Sequence, residues 1–143
     1  MGCDIHLHQE IKVDGKWEHY RACNVPRDYR LFCKMAGVRS SSCHGEPNEP
    51  ISTPRGVPGD ISVVTKISLD RWSADGHSHS WLNAAEIAEV EEWLQGEMGS
   101  DEWKLERTYW GYLFGNSWGG FSKYRLDYPE RIEDIRFVFW FDS

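Results

Sequence analysis

The sequence predicts an α+β fold: a small, largely antiparallel sheet packed against two or three helices, with a long Pro/Gly-rich loop. Three observations carry this. Residues 3–11 alternate as a half-buried strand does, and Asp14-Gly15 follows as a hairpin turn. Asn83 and Glu86 form a capping-box pattern that starts a helix. The chain closes on Ile135-Arg136-Phe137-Val138-Phe139-Trp140-Phe141, apolar on both faces as a central strand would be. At 143 residues the chain fits one domain over 1–143, with no visible repeat or linker.

In the first strand Ile5, Leu7 and Ile11 point one way and Asp4, His6, His8 and Glu10 the other, so one face is wholly ionisable. Residues 17–21 supply its hairpin partner. Asn24 and Pro26 then open a short helix whose apolar positions are Leu31, Phe32, Met35 and Ala36, stopped by Gly37. From Gly37 to Asp60, Pro, Gly and Ser break any regular period, and loops of this length tend to be functional. Arg55, in Pro54-Arg55-Gly56, is its candidate anion contact. Residues 61–72 fit a short helix or a strand equally well.

The next helix should run from Ala84 to about Gln95. Asn83 caps it, Leu82 and Ile87 form a hydrophobic staple, and Gly96 stops it. Ala84, Ile87, Val90 and Leu94 face inward, whereas Glu86, Glu89 and Glu92 face water. A third helix carries Trp103, Glu106, Arg107, Trp110 and Leu113, weakened by Gly111. A turn-like stretch over 115–120 includes Trp118.

Eight Trp, six Tyr and six Phe build much of the core from large rings that also offer stacking surfaces. The net charge of −7 argues against a duplex nucleic acid partner, which needs a broad Lys/Arg footprint. Cys3, Cys23, Cys33 and Cys43 contain no Cys-x-x-Cys pair, and a reducing compartment suits them. With no apolar run long enough to span a bilayer and no signal-peptide pattern, the expectation is a soluble, cytoplasmic protein without a membrane partner. A homo-oligomer stays open.

Chemistry concentrates in two His-x-His pairs, His6-Leu7-His8 and His77-Ser78-His79, each beside an aspartate, Asp4 and Asp75. The second pair precedes the helix start, where loop side chains can converge on a ligand. The expectation is one shared pocket holding Asp4, His6, His77 and His79, because two ionisable clusters are costly to bury apart and unpaired. As a metal set these four residues would suit zinc, manganese or nickel. Residues two apart on a strand stand roughly 7 Å apart, so they share an ion only if their rotamers lean together. Without a metal, His6, His77 and His79 are the acid–base candidates, and His77 and His79 can contact phosphate directly. Arg55 would add a bidentate contact, and Trp81 or Trp118 would stack on a base. His8, His19 and His44, taken singly, read as structural or solvated.

Asp4-Ile5-His6 with Gly76-His77-Ser78-His79 resembles the first and last motifs of calcineurin-like metallophosphoesterases. No Gly-Asn-His-Asp/Glu stands between them, and Gly115-Asn116 follows instead, so that family is not assigned. The opening Met1-Gly2-Cys3-Asp4-Ile5-His6, the segments Arg27-Asp28-Tyr29 and Pro54-Arg55-Gly56-Val57-Pro58, the central Asp75-Gly76-His77-Ser78-His79-Ser80-Trp81-Leu82 and the ending Val138-Phe139-Trp140-Phe141-Asp142 resemble a family of small tailed-phage and prophage proteins. That resemblance implies a context, the infected host cell, rather than a reaction. The leading expectation is therefore an anti-defence accessory protein that sequesters a nucleotide or cyclic-nucleotide immune signal. Its rivals are a metal-dependent phosphoesterase and an acidic interaction module presenting Glu86, Glu89 and Glu92.

Overall fold

Alternation and turn chemistry place four strands side by side in one antiparallel sheet. The computed structural model of the chain describes residues 2–23, 25, 27–39, 49–90, 92–93 and 132–142. Strands β1 (Asp4–Val13) and β2 (Lys16–Cys23) form the expected hairpin, with Asp14 and Gly15 both at positive φ as its two-residue turn requires. Strands β3 (Gly76–Asn83) and β4 (Ile132–Asp142) complete the order β2-β1-β4-β3. The closing strand is thus central and pairs with the first, as its two apolar faces predict.

One face of the sheet carries the apolar core. Leu7, Phe139, Phe141, Phe137 and Leu82 are buried there under helix α1 (Tyr29–Ala36), whose Phe32 ring meets Phe141 edge-on at 5.1 Å. Helix α1 starts later than expected. Asp28 is its cap, accepting from the backbone of Arg30 and Leu31, while Asn24 and Pro26 lie outside the described residues. Gly37 ends it at φ 72, its N–H bonded to the Cys33 carbonyl. Residues 84–90 and 92–93 form helix α3, and Ile87 and Val90 complete the same core. Its capping box is as predicted: Glu86 N–H donates to Asn83 Oδ1 and Asn83 N–H to Glu86 Oε1, both at 2.9 Å. The expected end near Gln95, the helix around 103–113 and Trp118 lie outside the described residues.

Residues 61–72, open between helix and strand from sequence, form helix α2 (Val63–Arg71), capped by Ser62. It covers the opposite, ionisable face of the sheet. Its polarity is inverted: Thr65 is fully buried, whereas Val63, Val64 and Ile67 are more than half exposed. Hydrogen bonds dock it. Glu10, wholly buried, accepts from Ser62 N–H and Thr65 Oγ1–H through one oxygen and from Arg136 through the other, at 2.7–2.9 Å. Arg136 also donates to Asp60 and lies over the Trp17 ring at 4.0 Å. Residues 49–60 form no helix or strand, as their composition predicts. Two further expectations change. Residues 76–83 are an edge strand rather than a loop, and Cys33 is disulfide-bonded, at odds with a fully reduced set, while Cys3 and Cys23 are buried free thiols.

Burial pushes the Glu10 carboxyl up, but its hydrogen bonds from Ser62, Thr65 and Arg136 outweigh this and leave it below its ordinary 4.5. Its stabilisation is therefore present above pH 4.5 and lost as pH falls through the lowered folded value. Glu10→Gln is expected to cost about 3 kcal/mol in denaturant unfolding, because it leaves Arg136 buried with a weakened partner. Replacing both Glu10 and Arg136 by Met should recover much of that loss. A single variant as stable as the parent would refute the role given to this pair.

Candidate functional site

Residues paired across neighbouring strands share a sheet face, so the register decides which histidines meet. Across β1 and β4, Asp4 pairs with Asp142, His6 with Trp140, His8 with Val138 and Glu10 with Arg136. These residues make the face beneath α2. Two bulges then revise its membership. On β2 the register shifts opposite Gln9 and Glu10, where Tyr20 is the extra residue, and this brings His19 opposite Glu10 on the ionisable face. On β3 the chain takes three steps from His77 to Ser80 while β4 takes two from Phe141 to Phe139. Ser78 absorbs the extra residue at φ 55, and its hydroxyl lies 3.0 Å from His77 Nδ1.

That second bulge separates the pair the sequence reading joined. His77 pairs with Phe141 on the core side, their rings 6.3 Å apart, whereas His79 turns to the other face, its ring 6.1 Å from Trp140. A one-residue shift moves every following side chain to the opposite face. His77 thus leaves the expected shared pocket, and so does Asp4, half exposed in a two-bond pair with Arg27 that holds its carboxyl below the usual range. Among the described residues no three His, Cys, Asp or Glu side chains converge as a metal-ion site. The set Asp4, His6, His77 and His79 is therefore not assembled for zinc, manganese or nickel.

What assembles instead is a row of rings across the four strands: His19, His8 and His6, Trp140, then His79. The ring of His8 lies 5.3 Å from Trp140 and that of His6 6.2 Å, both near parallel to it. Trp72, just past α2, closes over His6 at 4.1 Å. His6 Nε2 lies 2.6 Å from Asp142 Oδ2, both side chains about one-fifth exposed. Beneath α2, His8 Nε2 shares a hydrogen bond with Ser68 Oγ at 3.1 Å and its Nδ1 one with His19 Nε2 at 3.0 Å.

Two features mark the corner between His6 and His79. Trp140 is fully buried, yet its indole N–H has no partner among the described residues, and such a donor costs about 1–3 kcal/mol unless something accepts it. Its pyrrole edge is packed close to Gly76, where even a methyl group would be crowded, at 3.2 Å from Trp140 Cδ1, 3.3 Å from His79 Nε2 and 3.1 Å from the Trp72 carbonyl. Burial, and then the neighbouring His77, lower the pKa of His79 from 6.5, so it is neutral at pH 7.

The remaining candidates are placed as follows. The Arg55 guanidinium stacks on Trp81 at 4.4 Å and pairs with Glu86, so its charge is compensated and one face of that indole is covered. Arg55 N–H donates to Ser80 Oγ and Gly56 N–H to the His79 carbonyl, which seals the exposed edge of β3. Glu89 and Glu92 are exposed, whereas Glu86 is held by Asn83 and Arg55. Trp72, Trp140 and Asp142 were missed from sequence. Each sits in an ordinary aromatic or terminal context, and Gly76 directly before the second histidine pair was the available hint. No family model matches the chain, and neither a curated protein nor a solved structure matches it significantly.

Burial, then His19, bring the His8 pKa from 6.5 to about 4. Unfolded His8 takes a proton near pH 6.5 and folded His8 only near 4, so its contribution is present above 6.5 and lost as pH falls toward 4. This corresponds to on the order of 3 kcal/mol. Urea midpoints should fall across that window, and His8→Phe should flatten the slope; an unchanged slope would show that His8 does not carry it.

Proposed function

We propose that the protein binds a phosphate-bearing nucleotide at the corner formed by His6, His79 and Trp140. The observation that carries this reading is the buried indole N–H of Trp140, without a partner among the described residues, on a ring flanked by two imidazoles. An indole offers a donor only, so it favours an anionic acceptor and disfavours a cation at the same place. Imidazoles donate to phosphate oxygens in the same way, and more strongly once protonated. Trp72, partly exposed beside His6, is the nearest ring on which a base can stack. Arg55, stacked on Trp81, is a rim contact, available only if a phosphate draws it from Glu86.

The resemblance of the motif segments to tailed-phage and prophage proteins supplies the setting. Capture of a nucleotide immune signal inside the infected cell requires a tight site and no chemistry. No described helix is long and apolar enough to cross a membrane.

Calorimetry with a panel of linear and cyclic nucleotides tests the reading. Binding is expected, with inorganic phosphate competing. Gly76→Ala, which crowds Trp140 and His79, and His79→Ala should each weaken binding by tenfold or more, about 1.4 kcal/mol. Affinity should rise as pH falls below 6.5, where His79, its pKa lowered from that value, gains charge, the reverse of a metal-ligating histidine. Absence of binding across the panel, or affinity that falls on acidification, would contradict it.

A further inference from the structure

Helix α2 lies along β1 in a simple register, with Thr65 over Glu10, Ser68 over His8 and Trp72 over His6. Each contact joins the helix to a group that takes up a proton in acid. The apolar burial that holds an ordinary helix is slight here, because Ile61, Leu69 and Trp72 are half-buried and Val63, Val64 and Ile67 face solvent. Exposed residues flank the segment, Gly59 and Asp60 before it and Ser73-Ala74-Asp75 after it. A unit so poor in apolar contacts opens at lower cost than the sheet beneath it.

From this arrangement we infer that α2, with Ser62 and Trp72, is a proton-released cover of the ionisable face: it undocks as one unit on acidification while the sheet and its apolar side, with α1 and α3, stay folded. The contact between His8 and His19 shows why. At 3.0 Å their two facing nitrogens hold one hydrogen between them. A first added proton charges a buried ring that already faces His6, and a second sets two N–H groups against each other. Glu10 attracts that charge, but Arg136 from β4 already compensates it. From α2 the inward groups are the Thr65 and Ser68 hydroxyls, whereas Lys66, Asp70 and Arg71 are exposed. Undocking returns His8 to water, where its pKa is near 6.5 rather than about 4, so protons favour the open form below 6.5. Glu10, also lowered when docked, adds to this below 4.5. The cover governs the proposed ligand as well. Trp140 is sealed in the closed arrangement, so an anion reaches its N–H once α2 has lifted. That consequence rests on the binding reading, whereas the release of α2 does not.

Amide hydrogen exchange of the full chain, read by mass spectrometry and corrected for the intrinsic effect of pH on exchange, tests the release. Between pH 7.5 and 5 the opening constant of residues 62–72 should rise roughly 25-fold, with peptides from β1, β4 and α1 little changed. His8→Phe should remove most of that pH dependence. Glu10→Gln should open the same residues at pH 7.5 while the core amides stay protected. If residues 62–72 exchange no faster at pH 5, or do so only together with β1 and β4, the inference fails. The parent chain alone decides this, so a variant that does not fold cannot obscure it. Stopped-flow association of a nucleotide adds the second arm, and it should be faster with Glu10→Gln than with the parent. An equal or slower rate would overturn α2 as the entrance to the site. Absence of nucleotide binding would contradict the binding reading alone, because exchange reports the release of α2 without any ligand.

Discussion

A buried carboxylate and a buried guanidinium, Glu10 and Arg136, face each other across the two central strands, and the arrangement of the ionisable face follows from them. Both are removed from water, so every lone pair and N–H they carry must find a partner. Ser62, Thr65 and Asp60 supply those partners, and all three belong to α2 or the residues leading into it. The helix is thereby fixed over the histidines by polar contacts, with its apolar side chains turned outward. A helix docked by apolar burial would present the opposite faces. Here the inner face answers to polar groups: Thr65 to the Glu10 carboxylate, Ser68 to the neutral His8 ring.

Once α2 is fixed, the register of the sheet selects the chemistry beneath it. Five histidines at strand positions could be distributed over two faces in many ways. Two single-residue bulges choose one of them, recruiting His19 and sending His77 to the core side while His79 stays with Trp140. Ser78 holds the second bulge in a left-handed conformation that costs a non-glycine residue about 1–2 kcal/mol. Its hydroxyl's contact with His77 offsets part of that.

Strands β1, β2 and β4, the Asp14-Gly15 turn and the Asn83/Glu86 capping box were legible because each is a local pattern whose physics acts within a few residues. Asp28 and Ser62 as caps were equally local but sat beside competing signals, Asn24 with Pro26 in one case and an ambiguous apolar spacing in the other. The edge strand at 76–83 read as a loop because Gly76, Ser78 and Ser80 are poor strand formers; pairing with the strongly apolar β4 overrides them. Two of the five residues of the candidate site were legible. His6 and His79 stand out by composition, whereas Asp142, Trp72 and Trp140 join them through pairings that span most of the chain. A bulge leaves no period in the sequence to read, so the division of His77 from His79 could not be seen there. Arg136 carried a signal that passed unused: one guanidinium inside an otherwise apolar run must have a buried counter-ion.

The central claim is that Trp140 offers its N–H to an anion held between His6 and His79. Proton–nitrogen NMR of the indole groups during titration with inorganic phosphate, and then with a nucleotide, reads that atom directly. One indole resonance, assigned to Trp140 by its loss in Trp140→Phe, should move downfield and become slower to exchange as the anion binds. Binding that leaves this resonance unmoved, while another tryptophan responds, would place the ligand elsewhere and contradict the account.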